Sequence, residues 1–112
     1  MQYALLIHEK PGADDGFTDD ERRAITAEYM EIAQQPNCVG GARLGPVDTA
    51  TTVRVDGPET LITDGPFANT KEVFGGYFII EADDLDTVLE IAARIPAARL
   101  GGSVEIRPVA YR

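Results

Sequence analysis

The sequence predicts one α+β domain in which two helices cover a small sheet and a β-hairpin separates the two halves of the chain. Three observations predict it. Apolar runs of strand length lie near both ends and in the middle. Two segments repeat their apolar residues at helical spacing. The dipeptide Asp56-Gly57, between two short strand-like runs, is a strong hairpin signal. A length of 112 residues fits one domain, which we place at 1–112.

The first half of the chain predicts strand, helix and strand. Residues 3–8 (YALLIH) form an apolar run typical of a buried strand. Thr18 and Glu21 have the spacing of a capping box, so a helix should begin there and end before Pro36. Residues 38–44 (CVGGARL) predict a weak strand that two glycines interrupt. The predicted apolar stripe of the helix is Ile25, Tyr29, Ile32 and Ala33.

The second half repeats this pattern after the hairpin of residues 50–55 and 59–63. Residues 76–82 (GYFIIEA) predict a strand, and Asp83 or Asp84 should cap a second helix that Pro96 ends. Residues 103–109 alternate as a last strand. The order β-α-β, hairpin, β-α-β is the split, ferredoxin-like arrangement with an inserted hairpin. The apolar stripe predicted for the second helix is Leu85, Val88, Leu89, Ala92 and Ile95.

Both faces of the predicted sheet carry apolar side chains. The first strand places Leu5 and Ile7 on one side and Leu6 on the other. Two helices can cover only one face, and burying one Leu or Ile contributes roughly 1.5–3 kcal/mol. We therefore predict a homodimer with its sheets face to face, a dimeric α/β-barrel-like assembly whose cleft is the natural ligand site.

Charge and composition exclude several classes of function. A formal net charge of −9 disfavours nucleic-acid binding. The single cysteine, Cys38, cannot form an internal disulfide. One histidine among scattered acids lacks the ligand spacing of zinc sites, so no metal and no cofactor are predicted. The apolar run at the N-terminus is too short for a signal peptide or a membrane span, so we predict a cytoplasmic protein without membrane contact.

The candidate catalytic residues are Asp64 and His8. Asp64 follows the hairpin in the segment "TDGPF", where a carboxylate at a strand end could accept a proton; alternatively it forms an Asx-turn. His8 ends the first strand and could act as general acid or base, ideally paired with Asp64. A histidine that merely contacts a neighbouring loop is the alternative.

Four further residues are candidates for ligand binding. Lys71 and Glu72 could hold a polar ligand or form a surface ion pair. Arg54 could bind a carboxylate or make a cross-strand pair. Tyr77 could line the cleft or pack in the core.

The segment "TDGPFANTKEVFGGYFIIEADDLDTVLEIAARIPAAR", followed by "GGSVEIRPV", resembles the DGPF subgroup of the YCII-related family. The resemblance extends over about residues 3–109 and implies a ferredoxin-like fold that dimerises through its sheets. It also implies small enzymes that use a His and an Asp in some members, dehalogenation of a chlorinated aromatic in one relative, and genes beside extracytoplasmic-function sigma factors in many.

Two functions remain open at this point. In the first, the protein binds or transforms a small polar or aromatic molecule by acid–base chemistry in its cleft. In the second, it is a non-enzymatic accessory protein that modulates a sigma factor through an exposed surface.

Overall fold

The computed structural model describes residues 1–68 and 70–111 and has the predicted order of elements. A mixed α+β architecture with antiparallel sheets is confirmed. Two elements were not predicted: a 3-10 turn (Val47–Thr49) and a short helix, α3, that begins at the proline expected only to end the second helix. The elements are β1 (Gln2–Glu9), α1 (Asp19–Ala33), β2 (Cys38–Arg43), β3 (Thr51–Asp56), β4 (Glu59–Asp64), β5 (Val73–Glu81), α2 (Leu85–Ala93), α3 (Pro96–Arg99) and β6 (Ser103–Pro108).

The strands form two sheets. One has four antiparallel strands in the order β2-β5-β1-β6, and the other is the hairpin of β3 and β4 alone. Two bulges interrupt the larger sheet, one between Ile7 and His8 and one between Cys38 and Gly40. The hairpin turns through Gly57 and Pro58. The φ of Gly57 is +58° and proline fixes a negative φ at the next position, and this sequence of signs is that of a type II′ turn.

Side-chain caps define where the helices begin. Thr18 accepts from the Glu21 backbone N–H, and the Glu21 carboxylate accepts from the Thr18 N–H, which confirms the capping box. Asp84, one of the two predicted caps, accepts from both the backbone N–H and the hydroxyl of Thr87. These hydrogen bonds lower the pKa of the Asp84 carboxyl because they stabilise its charged form.

The core lies between the helices and one face of the four-stranded sheet. Leu5, Ile80, Val88 and Ile95 are completely buried there. The predicted stripe of α2 needs correction, because Leu85 and Leu89 are both 48% exposed while Ile91 is buried. Leu89 follows Val88 by about 100° around the helix, which turns it away from the sheet.

The other side of the four-stranded sheet has no helix over it, and we call it the open face. Alternate residues of three strands point to it: Ala4, Leu6, His8, Tyr77, Ile79, Ser103, Glu105 and Arg107. Its apolar members, Ala4, Leu6, Tyr77 and Ile79, are half-buried. The sequence prediction of apolar residues on both faces is therefore confirmed.

The hairpin projects from the rest of the chain. Every residue of β4 is exposed, and in β3 only Thr52 is half-buried. The radius of gyration is 15.9 Å, whereas a compact domain of this length has about 13 Å. None of the helices in the described ranges has the length and apolarity needed to cross a lipid bilayer.

Candidate functional site

A cleft of about 1130 Å³ lies on the helical side of the sheet. Its walls are α1, the strands β2 and β5, and the loop after β1. Apolar side chains make up much of the lining, including Ile7, Ile25, Met30, Val39 and Phe78. A concave, mostly apolar space with a few polar groups is the usual form of a small-molecule site.

Among the polar residues that line this cleft, Glu9 and Arg43 both interact electrostatically with Tyr29. Glu9 ends β1 and Arg43 ends β2, while Tyr29 comes from the third turn of α1. The Tyr29 phenol lies within electrostatic range of both Glu9 and Arg43. The trio thus combines a carboxylate, a hydroxyl donor and a cation that forms no ion pair within residues 1–68 and 70–111.

The glycine at position 75 leaves the space that the Glu9 side chain occupies. A Cβ atom on Gly75 would lie 2.6 Å from the Glu9 carboxyl, so only glycine leaves that space free. A Cβ on Gly76 would lie 2.6 Å from the carbonyl oxygen of Ala42, so the close approach of β5 to β2 requires glycine as well. The paired glycines predicted to serve bends and close strand approach therefore also shape this wall.

Burial raises the pKa of the Tyr29 phenol above its ordinary value of 10.0, and the negative charge of Glu9 adds to the effect. A backbone hydrogen bond at Ala97 and the charges of Arg43 and Arg99 act in the opposite direction. At neutral pH Tyr29 is therefore a neutral hydroxyl that can donate a hydrogen bond or a proton.

A tyrosinate titration tests this environment. Because the pKa of Tyr29 is higher in the folded than in the unfolded chain, the stabilisation that it contributes is complete below pH 10.0 and is lost as the pH rises through the folded value. We expect the absorbance of tyrosinate to contain a component that titrates above pH 10.0 and that Tyr29→Phe removes. Urea unfolding of the Phe variant should also lose less stability at high pH than unfolding of the parent protein. Identical alkaline curves for the two proteins would contradict the assignment.

The structure places His8 on the open face, outside the lining of the cleft. Its Nε2 lies 3.3 Å from Oε1 of Glu105, and its ring is 5.6 Å from that of Phe74. A carboxylate on one ring nitrogen orients the imidazole and leaves Nδ1 for a second partner. His8 and Asp64 lie on different sheets, and their pairing stays a prediction.

Asp64 and Arg54 lie on the hairpin. Asp64 is exposed at the end of β4, and its carboxylate has no hydrogen bond to any described residue. Gly65, with φ of +98°, then provides the sharp turn expected after Asp64. Arg54 Nη2 lies 3.5 Å from the carbonyl oxygen of Phe67, so this side chain spans the loop that follows the hairpin.

The remaining predicted residues lie on and after that loop. Glu72 accepts a hydrogen bond from Ser103 Oγ at 2.8 Å, while Lys71 is exposed. Of the six predicted site residues, all of which are described, Tyr77 alone is among the residues that line the cleft, although its register in β5 also places it among the residues of the open face.

Sequence reasoning missed Glu9, Tyr29 and Arg43 as site residues. Tyr29 was assigned to the apolar stripe of its helix, and the hydroxyl on that stripe was the one signal that could have marked it. Glu9 and Arg43 lie near opposite ends of their half of the sequence, and only the pairing of β1 and β2 with β5 brings them to one wall. No group of three His, Cys, Asp or Glu residues suited to a metal ion occurs in the described part of the chain.

Fold and cleft together define a class of small α+β proteins with one helix-covered antiparallel sheet and a ligand-sized space beside it. The chain belongs to the family of the YCII-related domain, whose model matches residues 1–111. The DGPF subgroup stays a prediction.

Two known proteins are similar to the chain. An uncharacterized protein of Rhizobium meliloti (strain 1021) is 34% identical over 115 residues, which cover 98% of this chain and 93% of that protein. Among solved structures, the 5-chloro-2-hydroxyhydroquinone dehydrochlorinase TftG of Burkholderia phenoliruptrix AC1100, in complex with 2,5-dihydroxybenzoquinone, matches with a TM-score of 0.54. The match covers 100% of this chain and 96% of the dehydrochlorinase at 16% identity, and at that identity it establishes the shared fold.

Proposed function

We propose that the protein binds a small, ring-sized anionic molecule in the cleft beside α1 and acts on it by acid–base chemistry. The observation that carries the proposal is the meeting of Glu9, Tyr29 and Arg43 at one largely apolar wall. The dehydrochlorinase with the same fold was solved with 2,5-dihydroxybenzoquinone, a ring with acidic hydroxyls, which supports a ligand of this kind.

Each of the three side chains has one task. Arg43 neutralises the anionic oxygen of the ligand, because an arginine with no competing carboxylate can donate a charge-assisted hydrogen bond to it. Glu9 accepts a proton from the ring, and Tyr29, whose raised pKa keeps it protonated, donates one to the oxygen where charge develops. The apolar lining holds the ring and strengthens these interactions by excluding water.

We also propose that the working unit is a cytoplasmic homodimer of ferredoxin-like halves whose interface buries their open faces. The half-buried Leu6, Tyr77 and Ile79 support this, since an uncovered apolar surface is typical of an interface. His8, one of the two residues first expected to transfer protons, would then belong to that interface, whereas Asp64 lies on the hairpin. No described feature and no matched protein favours the alternative role at a sigma factor.

The test uses 2,5-dihydroxybenzoquinone as a probe. Binding is followed by NMR on the amides of Gly75 and Gly76, and exchange of the ring hydrogens in D2O is followed on the probe itself. We expect Arg43→Ala to weaken binding about 10- to 100-fold, the loss of one charged hydrogen bond of about 1.5–3 kcal/mol. Glu9→Gln should keep binding but lose the accelerated exchange.

The matched control is Arg94→Ala, which removes an arginine that lies outside the cleft lining. His8→Gln and Asp64→Asn are measured in parallel. If these two abolish exchange while Glu9→Gln retains it, the chemistry belongs to His8 and Asp64 and the proposed assignment is wrong. Absence of any probe binding by the parent protein would contradict the proposed ligand class.

A further inference from the structure

One face of the hairpin is largely apolar and exposed to solvent. The register pairs Val53 with Ile62 and Val55 with Thr60, and these four side chains point to the same side, which we call the arm face. Val53, Val55 and Ile62 are 59%, 72% and 69% exposed. Three large side chains left in water at adjacent positions form a patch typical of an interface.

The opposite face of the hairpin is the one attached to its own chain. Thr52 Oγ donates to the carbonyl oxygen of Gly65 at 2.8 Å, and Arg54 reaches the carbonyl oxygen of Phe67. Both side chains alternate with the arm face along β3. These contacts hold the hairpin so that the arm face points away from its own loop. A two-stranded hairpin is marginally stable alone, so covering the arm face with a partner would stabilise it.

We propose that this partner is the open face of a second copy of the chain, so that each copy lays its hairpin across the other. The inference rests on the homodimer proposed above and adds the hairpin to its interface. One chain carries both apolar surfaces, the arm face and Ala4, Leu6, Tyr77 and Ile79 of the open face, and neither covers the other. If a two-fold axis relates the two copies, each copy covers both surfaces of the other, and no surface is left to bind a third copy.

The charges of the two surfaces complement each other. Asp56 and Glu59, at the tip of the hairpin, form no ion pair with any described residue. On the open face, Arg107 is likewise exposed and without an ion pair in the described ranges. An acidic tip that lies across the open face of a twin would reach this cation. Such a contact would offset part of the repulsion between two copies that each carry a formal charge of −9.

The test compares two neighbouring residues of β4 that point to opposite sides of the hairpin. Ile62→Asp places a charge on the arm face, and Thr63→Asp places the same charge on the other side. Molar mass is measured by light scattering during gel filtration, and folding is checked by circular dichroism. We expect the parent protein and Thr63→Asp to have twice the chain mass of 12.1 kDa, and Ile62→Asp to have the mass of one chain.

A charge exchange provides a second test that does not depend on the apolar face. Arg107→Glu should weaken the dimer at least 10-fold, and combination with Asp56→Arg and Glu59→Arg should restore it. Dimers that survive both Ile62→Asp and Arg107→Glu would overturn the role of the hairpin but leave the homodimer intact. A monomeric parent protein would overturn both. Probe binding on the same samples separates these failures from a failure of the proposed cleft chemistry.

Discussion

Leu5→Ala is expected to lower the free energy of unfolding by about 3 kcal/mol, within the range of 2–5 kcal/mol found for large buried residues. Leu5 is 0% exposed and lies in the central strand β1, between Phe78 of β5 and Ile106 of β6. Its removal leaves a cavity that the two neighbouring strands cannot close without leaving their register. Because domains of this size are stable by only about 5–15 kcal/mol, the loss should lower Tm by about 10 °C or more.

The control for this prediction is Leu89→Ala. It deletes the same atoms from a side chain that is 48% exposed on α2, and we expect a change of less than about 1 kcal/mol. Urea unfolding monitored by circular dichroism measures both variants. Equal losses at the two sites would contradict the placement of the core on the β1 side that faces the helices.

Gly102→Ala is expected to destabilise the chain by about 3 kcal/mol, at the upper end of what overpacking usually costs. An added Cβ would lie 2.2 Å from the carbonyl oxygen of His8 and 3.1 Å from that of Ala97. Both obstacles are backbone atoms, so no rotation of a side chain relieves the clash. β6 would have to separate from β1 where the two strands begin to pair, and the Gly102 N–H would lose its bond to Ala97.

Gly40→Ala is the matched substitution. A Cβ at Gly40 would lie 3.5 Å from the Ile79 side chain, which is ordinary contact, so the change should cost little. Thermal unfolding of both variants decides the comparison. If Gly102→Ala has the same Tm as the parent protein, the close approach of β6 to β1 in this structure is wrong.

The order of elements could be predicted because each boundary has a local chemical cause. Thr18 and Glu21 form their capping box through neighbouring backbone groups, and Asp56-Gly57 turns through its own φ preferences. The exposure of Leu89 could not be predicted from the sequence. A helix with apolar residues around most of its circumference does not show which side is buried until the position of the sheet is known.

The candidate site was predictable only in part for a different reason. Asp64 and His8 were chosen from residue types at strand ends, which is a local argument. The cleft instead depends on which strands are neighbours: Glu9 and Arg43 share a wall because β5 lies between β1 and β2. Sequence separation gives no measure of that proximity. Whether Tyr29 reaches the cleft also depends on where α1 lies relative to the sheet, which the sequence does not show.

The two outermost strands of the four-stranded sheet carry features that oppose edge-to-edge pairing with another chain. β2 is interrupted by a bulge between Cys38 and Gly40 and carries two glycines, so it offers an irregular border to an incoming chain. β6 ends in Arg107 and Pro108, a charge and a residue without a donor. Straightening either border, for instance by deleting the extra residue in β2, would remove a natural barrier to cross-β aggregation.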